Sequence, residues 1–264
     1  MTLVMTSLLA LLAGAPPADE AGWQSLFDGQ SLSGWRASEN QTSFRVVDGV
    51  IVGDGPRSHL FYVGADGRAS FRNFDVELEA MTAPGANSGF YFATTYQDTG
   101  FPNQGFEAQI CNTAPERNGY RELKLTGSLY AVRNVHRQLV RDGEWFKLAV
   151  SVHGRRIQVR VNGQLTADYV EPVPPVTDPA RPGRKLAPGT FALQCHDPES
   201  KASFRNLRVR RLPDDLAEPV TEPVVDDLFR QTLSLAVANF PLIDFHTHLK
   251  GGLTLEEFIR HQLD

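Results

Sequence analysis

The sequence predicts an all-β sandwich, on the basis of three observations. Short segments alternate apolar and polar residues, tight-turn dipeptides separate them, and no helical period occurs between Trp23 and Val224. Such alternation gives a strand one apolar face and one wet face, as in antiparallel sheets. The composition, 41% hydrophobic and 22% charged, is typical of a globular protein with a sizeable core.

Individual strands and turns follow from the same pattern. The dipeptides Asp48-Gly49 and Asn162-Gly163 predict hairpin turns, because the residues in both tolerate positive φ. Apolar residues at every second position predict strands over Phe74–Ala80 and Phe146–Val152. These strands belong to one predicted domain that spans residues 23–212.

Two proline-rich segments interrupt the pattern. Residues 171–189 contain six prolines and no periodicity, which predicts a long surface loop that either frames a binding site or only crosses a sheet edge. Residues 213–223 are predicted to form a linker. Beyond them, residues 224–238 have helical spacing and begin a short C-terminal appendage, residues 224–264.

The amino terminus resembles a secretory signal peptide over residues 1–15. An apolar run, Leu8 to Ala13, leads into the small-x-small pattern Ala13-Gly14-Ala15, although no Lys or Arg precedes it. We therefore expect an exported protein, periplasmic or extracellular, with no membrane span after cleavage. In that compartment Cys111 and Cys195 could pair, or remain buried thiols.

Charge argues against nucleic acid as a partner. The chain has 26 basic and 31 acidic residues, a formal net charge of −5, and therefore lacks the basic surface that binds phosphate backbones.

Nine segments, in order, resemble the 3-keto-disaccharide hydrolase domain family. They are Leu26–Trp35, Asn73–Glu79, Asn87–Phe92, Gly105–Ile110, Thr126–Tyr130, Gly143–Trp145, Val161–Gly163, Leu193–His196 and Phe204–Leu207. The resemblance implies a concanavalin-like jelly roll of two antiparallel sheets, with a groove on one face, and a carbohydrate as the substrate.

Alternation predicts which side chains face that groove. If Phe106, Ala108 and Ile110 face the core, Glu107 and Gln109 face the other, wet side. By the same argument, Gln194 and His196 lie opposite Phe191, Leu193 and Cys195. A carboxylate, an imidazole and two amides together could bind sugar hydroxyls and transfer protons.

The resemblance implies elimination chemistry on a 3-keto-glycoside. A base removes the acidified proton beside the ketone, the aglycone leaves, and water adds to the enone. We predict that Glu107 and His196 share the acid and base roles. Gln109, Gln194 and Arg205 are expected to donate hydrogen bonds, with Asn112 and Tyr91 also contacting substrate. Amide donors or a divalent metal ion would stabilise the enolate.

A second hypothesis is a non-catalytic carbohydrate-binding domain that was once attached to a hydrolase. The family has an acidic residue near the strand end where this chain has Cys111-Asn112, which could mean weakened activity. The aromatic residues Tyr91, Phe92 and Tyr96 could also stack on sugar faces. A shallow platform of aromatic side chains would favour this hypothesis. A pair of ionisable groups deep in the groove with shifted pKa values would favour the enzyme.

Residues 240–264 resemble the first strand and helix of a metal-dependent amidohydrolase barrel. His246 and His248 would be its first two metal ligands, because alternate residues at a strand end point to the same side. One strand and one helix cannot close a barrel. We therefore expect these histidines to bind metal only if the rest of the barrel were present.

Overall fold

The computed structural model describes residues 22–117 and 119–216, and these form an antiparallel β-sandwich. The strands are β1 (Trp23–Ser25), β2 (Trp35–Ala37), β3 (Phe44–Val47), β4 (Val50–Gly53), β5 (Ser58–Tyr62), β6 (Asn73–Thr82), β7 (Ser88–Thr94), β8 (Phe106–Ile110), β9 (Glu116–Arg117), β10 (Tyr120–Arg121), β11 (Phe146–His153), β12 (Arg156–Val161), β13 (Gln164–Val170), β14 (Thr190–Cys195) and β15 (Ala202–Leu212). A short 3₁₀ turn covers Gln41–Ser43.

Two sheets make up the sandwich. The larger has the order β13-β12-β11-β6-β15-β4-β3, with β1 also paired to β15, and the smaller has the order β2-β5-β14-β7-β8. Strands β9 and β10 form a separate two-stranded hairpin. The smaller sheet contains both of the segments from which the sequence predicted groove residues.

The core between the sheets is dominated by phenylalanine. Phe191 of β14 stacks on Phe71, with ring centroids 4.7 Å apart, and on Phe90, at 5.6 Å. Phe74 of β6 meets Phe191 edge-on at 5.0 Å. These rings link the two sheets and hold the backbone of β14 and β7 in place beneath the groove residues.

The predicted strands and turns are confirmed. The alternating segments at Phe74–Ala80 and Phe146–Val152 lie in β6 and β11, which pair with each other. Asp48 and Asn162 have φ of 49°, and the glycines after them have φ of 77° and 82°. Both dipeptides therefore make the tight hairpin turns expected from their tolerance of positive φ.

Several other features bear on the sequence-based expectations. Cys111 and Cys195 are both buried, and their thiols donate to the backbone oxygens of Thr113 and Gly55, respectively. The signal-peptide prediction for residues 1–15, most of the linker and the whole appendage, residues 224–264, lie outside the described residues, as do His246 and His248. Within residues 22–117 and 119–216, no helix is long and apolar enough to cross a membrane.

Candidate functional site

A cavity of about 590 Å³ lies over the smaller sheet, and β7, β8 and β14 contribute to its floor. Among the predicted site residues, the structure brings together Tyr91, Glu107, Gln109, Gln194 and His196. The expectation that this face of the sheet is wet is wrong. Glu107 is only 8% exposed and Gln109 and Gln194 are 1% exposed, and loop residues that include Phe101, Arg181 and Arg184 flank the cavity over this face.

The strand register sets the order of side chains on the floor. Gly89 of β7 pairs with Gln109 of β8 on one side. On the other side Leu193 pairs with Phe90, which makes Gln194 the neighbour of Gly89. Because neighbouring strands lie about 4.8 Å apart, the two glutamine backbones are separated by roughly 10 Å, with Gly89 between them.

Glu107 uses the space that Gly89 leaves open. A Cβ atom added to Gly89 would lie 2.2 Å from Glu107 Oε1, so the carboxyl group is folded over this glycine. The carboxyl therefore lies on the floor between Gln194 and Gln109. The segment Asn87-Ser-Gly ends in a glycine because any side chain at Gly89 would collide with the carboxyl of Glu107. The sequence alone did not reveal this contact.

Burial makes Glu107 a base suited to neutral pH. Loss of solvation raises the pKa of its carboxyl from 4.5 to about 7, opposed by a hydrogen bond donated by Tyr91 and by the charge of Arg184. Tyr91 pairs with Glu107 across β7 and β8, which aligns the two side chains. Burial raises the pKa of Tyr91 well above its usual value, so its hydroxyl stays a donor.

The amide groups of the two glutamines are oriented by the protein. Gln109 Nε2 donates to Asn87 Oδ1 at 3.1 Å, and Gln194 Nε2 donates to Tyr91 Oη at 3.1 Å. The oxygens Gln109 Oε1 and Gln194 Oε1 are buried without a hydrogen-bond partner. The expectation that these glutamines donate hydrogen bonds to a substrate stays a prediction.

The proline-rich loop, residues 171–189, forms one wall of the cavity and contributes Arg181 and Arg184. Gly105 N donates to Gly183 O at 3.0 Å, and Leu186 N donates to Glu171 Oε1 at 2.8 Å, which fixes the loop at two points. The loop therefore frames the site, one of the two alternatives that its sequence left open. The two arginines were missed because nothing in a proline-rich stretch indicates which side chains turn inward.

The wall beside these arginines contains a tyrosine and a carboxylate. Tyr130 Oη donates to Glu122 Oε2 at 3.2 Å, and Lys124 Nζ approaches Glu122 Oε1 at 3.0 Å. Burial and the charge of Glu122 raise the pKa of Tyr130 to about 12. These donors hold Glu122 as a carboxylate whose charge is balanced by Lys124, so Glu107 remains the available base.

His196 lies at the rim, one residue after the end of β14. Its Nδ1 is 2.7 Å from Asp197 Oδ2, and its side chain is 32% exposed. The Asp197 contact fixes the ring, and the side chain is thus positioned between the cavity and solvent.

His59 is a buried neighbour of the site. It is 0% exposed and pairs with Gln194 across β5 and β14, with its Nε2 3.4 Å from Gln194 Nε2. Burial lowers the pKa of its imidazole to about 3, so the ring is neutral. Packing against Tyr91, with ring centroids 5.4 Å apart, lets His59 support both Tyr91 and Gln194.

The structure does not bring Asn112 or Arg205 to the cavity. Asn112 is fully buried, and its Nδ2 donates to Thr82 Oγ1 at 2.7 Å. Arg205 belongs to β15 of the other sheet, where its Nε donates to Glu79 Oε2 at 2.7 Å and its guanidinium lies 4.0 Å from the Trp145 ring centroid. These contacts hold both residues within the fold and away from the cavity, contrary to their predicted role in binding substrate.

The aromatic residues do not form a platform for stacking sugars. Phe92 is fully buried in the core, Tyr91 points its hydroxyl at Glu107, and Arg36 covers the Tyr96 ring at 3.8 Å from its centroid. The sequence analysis required a deep pair of ionisable groups with shifted pKa values, and burial raises the pKa of both Glu107 and Tyr91. By that criterion the site favours an enzyme over a binding module.

The described residues do not fit a metal centre. Among residues 22–117 and 119–216, no group of three or more His, Cys, Asp or Glu side chains converges on one point.

Fold and cavity together define a jelly-roll sandwich protein with a cavity over its smaller sheet. The chain belongs to the 3-keto-alpha-glucoside-1,2-lyase-like domain family, whose sequence profile matches residues 22–210. That range covers nearly the whole described part of the chain, including every element of the cavity.

Known proteins of similar sequence or fold agree with this assignment. A 3-keto-disaccharide hydrolase of Bacteroides thetaiotaomicron is 26% identical over 176 residues, 59% of this chain and 60% of that protein's length. A crystal structure of a candidate glycosyl hydrolase from Parabacteroides distasonis is 23% identical, covers 75% of this chain and 99% of its own, and has a TM-score of 0.61. A second structure from that organism has a TM-score of 0.55 at 22% identity, covering 72% of this chain and 99% of its own. These two structures show the fold.

Proposed function

We propose that this protein is an enzyme that cleaves 3-keto-glycosides by elimination followed by hydration. One observation supports this above the others. A buried carboxyl with a pKa of about 7 lies on the floor of a polar cavity, within a family described as 3-keto-alpha-glucoside-1,2-lyase-like. Such a carboxyl matches the requirement for a general base that works at neutral pH.

In the first step, Glu107 removes the proton from C2 of the sugar. This proton is acidic because C2 adjoins the ketone at C3, so breaking the C2–H bond moves an electron pair into the enolate. The negative charge on the C3 oxygen needs a donor, and the Arg184 guanidinium is the nearby charge that most lowers the pKa of Glu107. We assign Arg184, supported by Arg181, to stabilise the enolate.

In the second step, the enolate electrons form the C1–C2 double bond and the bond between C1 and the glycosidic oxygen breaks. The aglycone oxygen takes the electron pair and a proton from His196. Water then adds across the enone: its oxygen bonds to C1, the proton that it loses goes back to His196, and Glu107 returns its proton to C2, which regenerates the carboxylate. The net reaction consumes one water molecule and needs no oxidant.

The names of relatives support this substrate class. The curated relative in Bacteroides thetaiotaomicron is called a 3-keto-disaccharide hydrolase, although the match spans only 60% of its length. Net hydrolysis by elimination and hydration reconciles that name with the lyase-like description of the family.

The direct test is aglycone release from a 4-nitrophenyl 3-keto-glucoside and from its unoxidised parent. We expect release from the keto sugar alone, and a loss of about 100- to 10,000-fold for Glu107→Gln. Glu144→Gln is a matched control, since Glu144 is 61% exposed. Activity of Glu107→Gln equal to that of the wild type would disprove the assignment, and a parallel assay with chelator tests for a metal requirement.

Two further expectations from the sequence remain proposals. We infer from the signal-like residues 1–15 that the protein is exported, which cell fractionation and amino-terminal sequencing of the mature chain would test. The resemblance of residues 240–264 to the start of an amidohydrolase barrel, with His246 and His248 as ligands, also stays a prediction.

A further inference from the structure

We propose that Phe101 forms an aglycone subsite of the cavity, where its phenyl ring packs against a ring of the leaving group. The ligand class is a glycoside whose aglycone has a flat apolar face, either an aromatic ring or the C–H face of a second sugar. This inference rests on the proposed function and specifies which leaving groups the same cavity accepts.

Phe101 is a large apolar residue that stays exposed at the cavity. It is 44% exposed, whereas Tyr91 and Phe106, which also line the cavity, are 7% and 3% exposed. Apolar surface gains free energy when a ligand removes it from water. Phe101 therefore offers a ligand more apolar surface than either of these two aromatic neighbours.

The loop that carries Phe101 is held by hydrogen bonds on both sides of the ring. Gln97 Nε2 donates to Phe101 O at 2.8 Å, and Asn103 N donates to Gln97 Oε1 at 3.0 Å. Gly100 N donates to Glu39 Oε1 at 3.1 Å. Because the backbone is fixed before a ligand arrives, little conformational entropy is lost when the ligand binds.

Three side chains also hold the phenyl ring itself. The guanidinium carbon of Arg57 lies over the ring, 5.1 Å from its centroid, and Arg57 Nε donates to Glu39 Oε1 at 2.8 Å. The ring centroids of His59 and His196 lie 5.7 Å and 5.3 Å from that of Phe101. Since Arg57 covers one face, a ligand in the cavity packs against the remaining exposed surface of the ring.

The contact with His196 determines which part of the substrate meets Phe101. In the proposed reaction His196 protonates the glycosidic oxygen, so the first atoms of the aglycone lie beside the imidazole. The ring centroids of Phe101 and His196 are only 5.3 Å apart. Aromatic rings pack favourably at centroid distances of about 4.5–7 Å, so a ring bonded to that oxygen reaches Phe101, whereas a methyl group is too short to cover it.

The volume of the cavity suits a ligand with two rings. It is about 590 Å³, within the range of about 300–1,000 Å³ that is typical of pockets for drug-sized ligands. An aryl glycoside or a disaccharide is a ligand of this size. The oxidised sugar then occupies the floor beside Glu107, and the second ring lies at Phe101.

The kinetic test compares an aglycone that contains a ring with one that does not. The substrates are 4-nitrophenyl and methyl 3-keto-α-glucoside, assayed with the wild type, Phe101→Ala and Phe101→Tyr. We expect Phe101→Ala to lose about 10-fold or more in kcat/KM on the nitrophenyl substrate, through KM, and less than about 2-fold on the methyl substrate. Phe101→Tyr keeps the ring and should behave like the wild type.

A matched control and the pattern of losses distinguish a subsite from support of His196. Val47→Ala is the control, because Val47 is 43% exposed on β3 of the other sheet. If Phe101 only positions the imidazole, Phe101→Ala lowers kcat equally on both substrates, and that result would overturn the inference. Unchanged kinetics of Phe101→Ala on the nitrophenyl substrate would also overturn it.

A binding measurement separates this inference from the proposed function. Calorimetry on the full chain with the unoxidised sugars 4-nitrophenyl α-glucoside, maltose and methyl α-glucoside involves no elimination. We expect the wild type to bind at least one of the two-ring ligands about 10-fold tighter than methyl α-glucoside, and Phe101→Ala to lose that preference. This result supports the subsite even if no 3-keto substrate is cleaved.

The same measurement identifies the kind of ring and can reject the subsite. Tighter binding of 4-nitrophenyl α-glucoside than of maltose indicates an aromatic aglycone, and the reverse order indicates a second sugar. The wild-type comparison needs no variant, so it decides the question even if Phe101→Ala fails to fold. Equal binding of all three sugars, binding of none, or a preference that persists in folded Phe101→Ala overturns the inference.

Discussion

At the scale of single residues, the hydrogen bond from Tyr91 to Glu107 tunes the base. Burial raises the pKa of Glu107 to about 7, and the Tyr91 hydroxyl opposes that rise because it stabilises the carboxylate. The active form is the carboxylate, so kcat/KM should increase with pH through about 7 in the wild type. In Tyr91→Phe the midpoint of this increase should move to higher pH.

The consequence for activity depends on pH. At pH 7 we expect Tyr91→Phe to lose roughly 3- to 10-fold, because a smaller fraction of Glu107 is ionised, and to recover most of that loss at pH 9. Tyr96→Phe is the matched control, since Tyr96 lies beneath Arg36 and outside the cavity. An unchanged midpoint in Tyr91→Phe would show that the hydroxyl does not act on Glu107.

The sequence could predict some of these residues and not others, for a physical reason. Strand alternation placed Glu107, Gln109 and Gln194 on one face, since that depends only on local geometry. The involvement of Gly89 and His59 depends on contacts between strands, which one sequence does not reveal. The same limit explains why Arg205 was misplaced, because only the sheet order puts β15 in the other sheet.

At the scale of elements, the proline-rich loop should control substrate binding more than stability. A Cβ atom on Gly183 would lie 2.1 Å from Asn103 O, so Gly183→Ala must shift the loop that contributes Arg181 and Arg184. We expect KM to rise about 10-fold or more while the sandwich stays folded, since the loop lies outside the core.

A second glycine separates this effect from loss of stability. Gly67 has φ of +73° and open space around its Cβ position, so Gly67→Ala strains the backbone without touching the cavity. Steady-state kinetics and thermal melts on both variants should show a high KM for Gly183→Ala alone. Equal KM values in the two variants would mean that the loop position is irrelevant to binding.

At the scale of the whole molecule, the sandwich was predictable because its signals repeat along the chain. Hairpin dipeptides and apolar alternation recur from Phe44 to Val161, and each agrees with the same architecture. The enclosure of the smaller sheet was not predictable, because alternation distinguishes core from non-core faces but does not show that loops cover the second face. The loops therefore turn the expected wet groove into a cavity in which burial raises the pKa of Glu107.

Burying this base should make the stability of the whole protein depend on pH. A carboxyl whose pKa rises from 4.5 to about 7 on folding stabilises the folded state only while it is protonated. Its contribution is complete below pH 4.5 and is lost as pH rises through about 7. The free energy of unfolding changes by at most about 3 kcal/mol over this pH range, because a difference of one pKa unit between the folded and unfolded states corresponds to about 1.36 kcal/mol.

Glu107→Gln removes this ionisation and keeps the shape of the side chain. We expect the variant to be more stable than the wild type at pH 8 by up to about 3 kcal/mol, and nearly equal to it at pH 4.5. Denaturant unfolding at both pH values would measure the difference, with Glu144→Gln as the exposed control. An equal stability difference at the two pH values would mean that the folded protein does not resist ionisation of Glu107. The expected gain, set beside the loss of activity in the same variant, would show that the base is kept at the expense of stability.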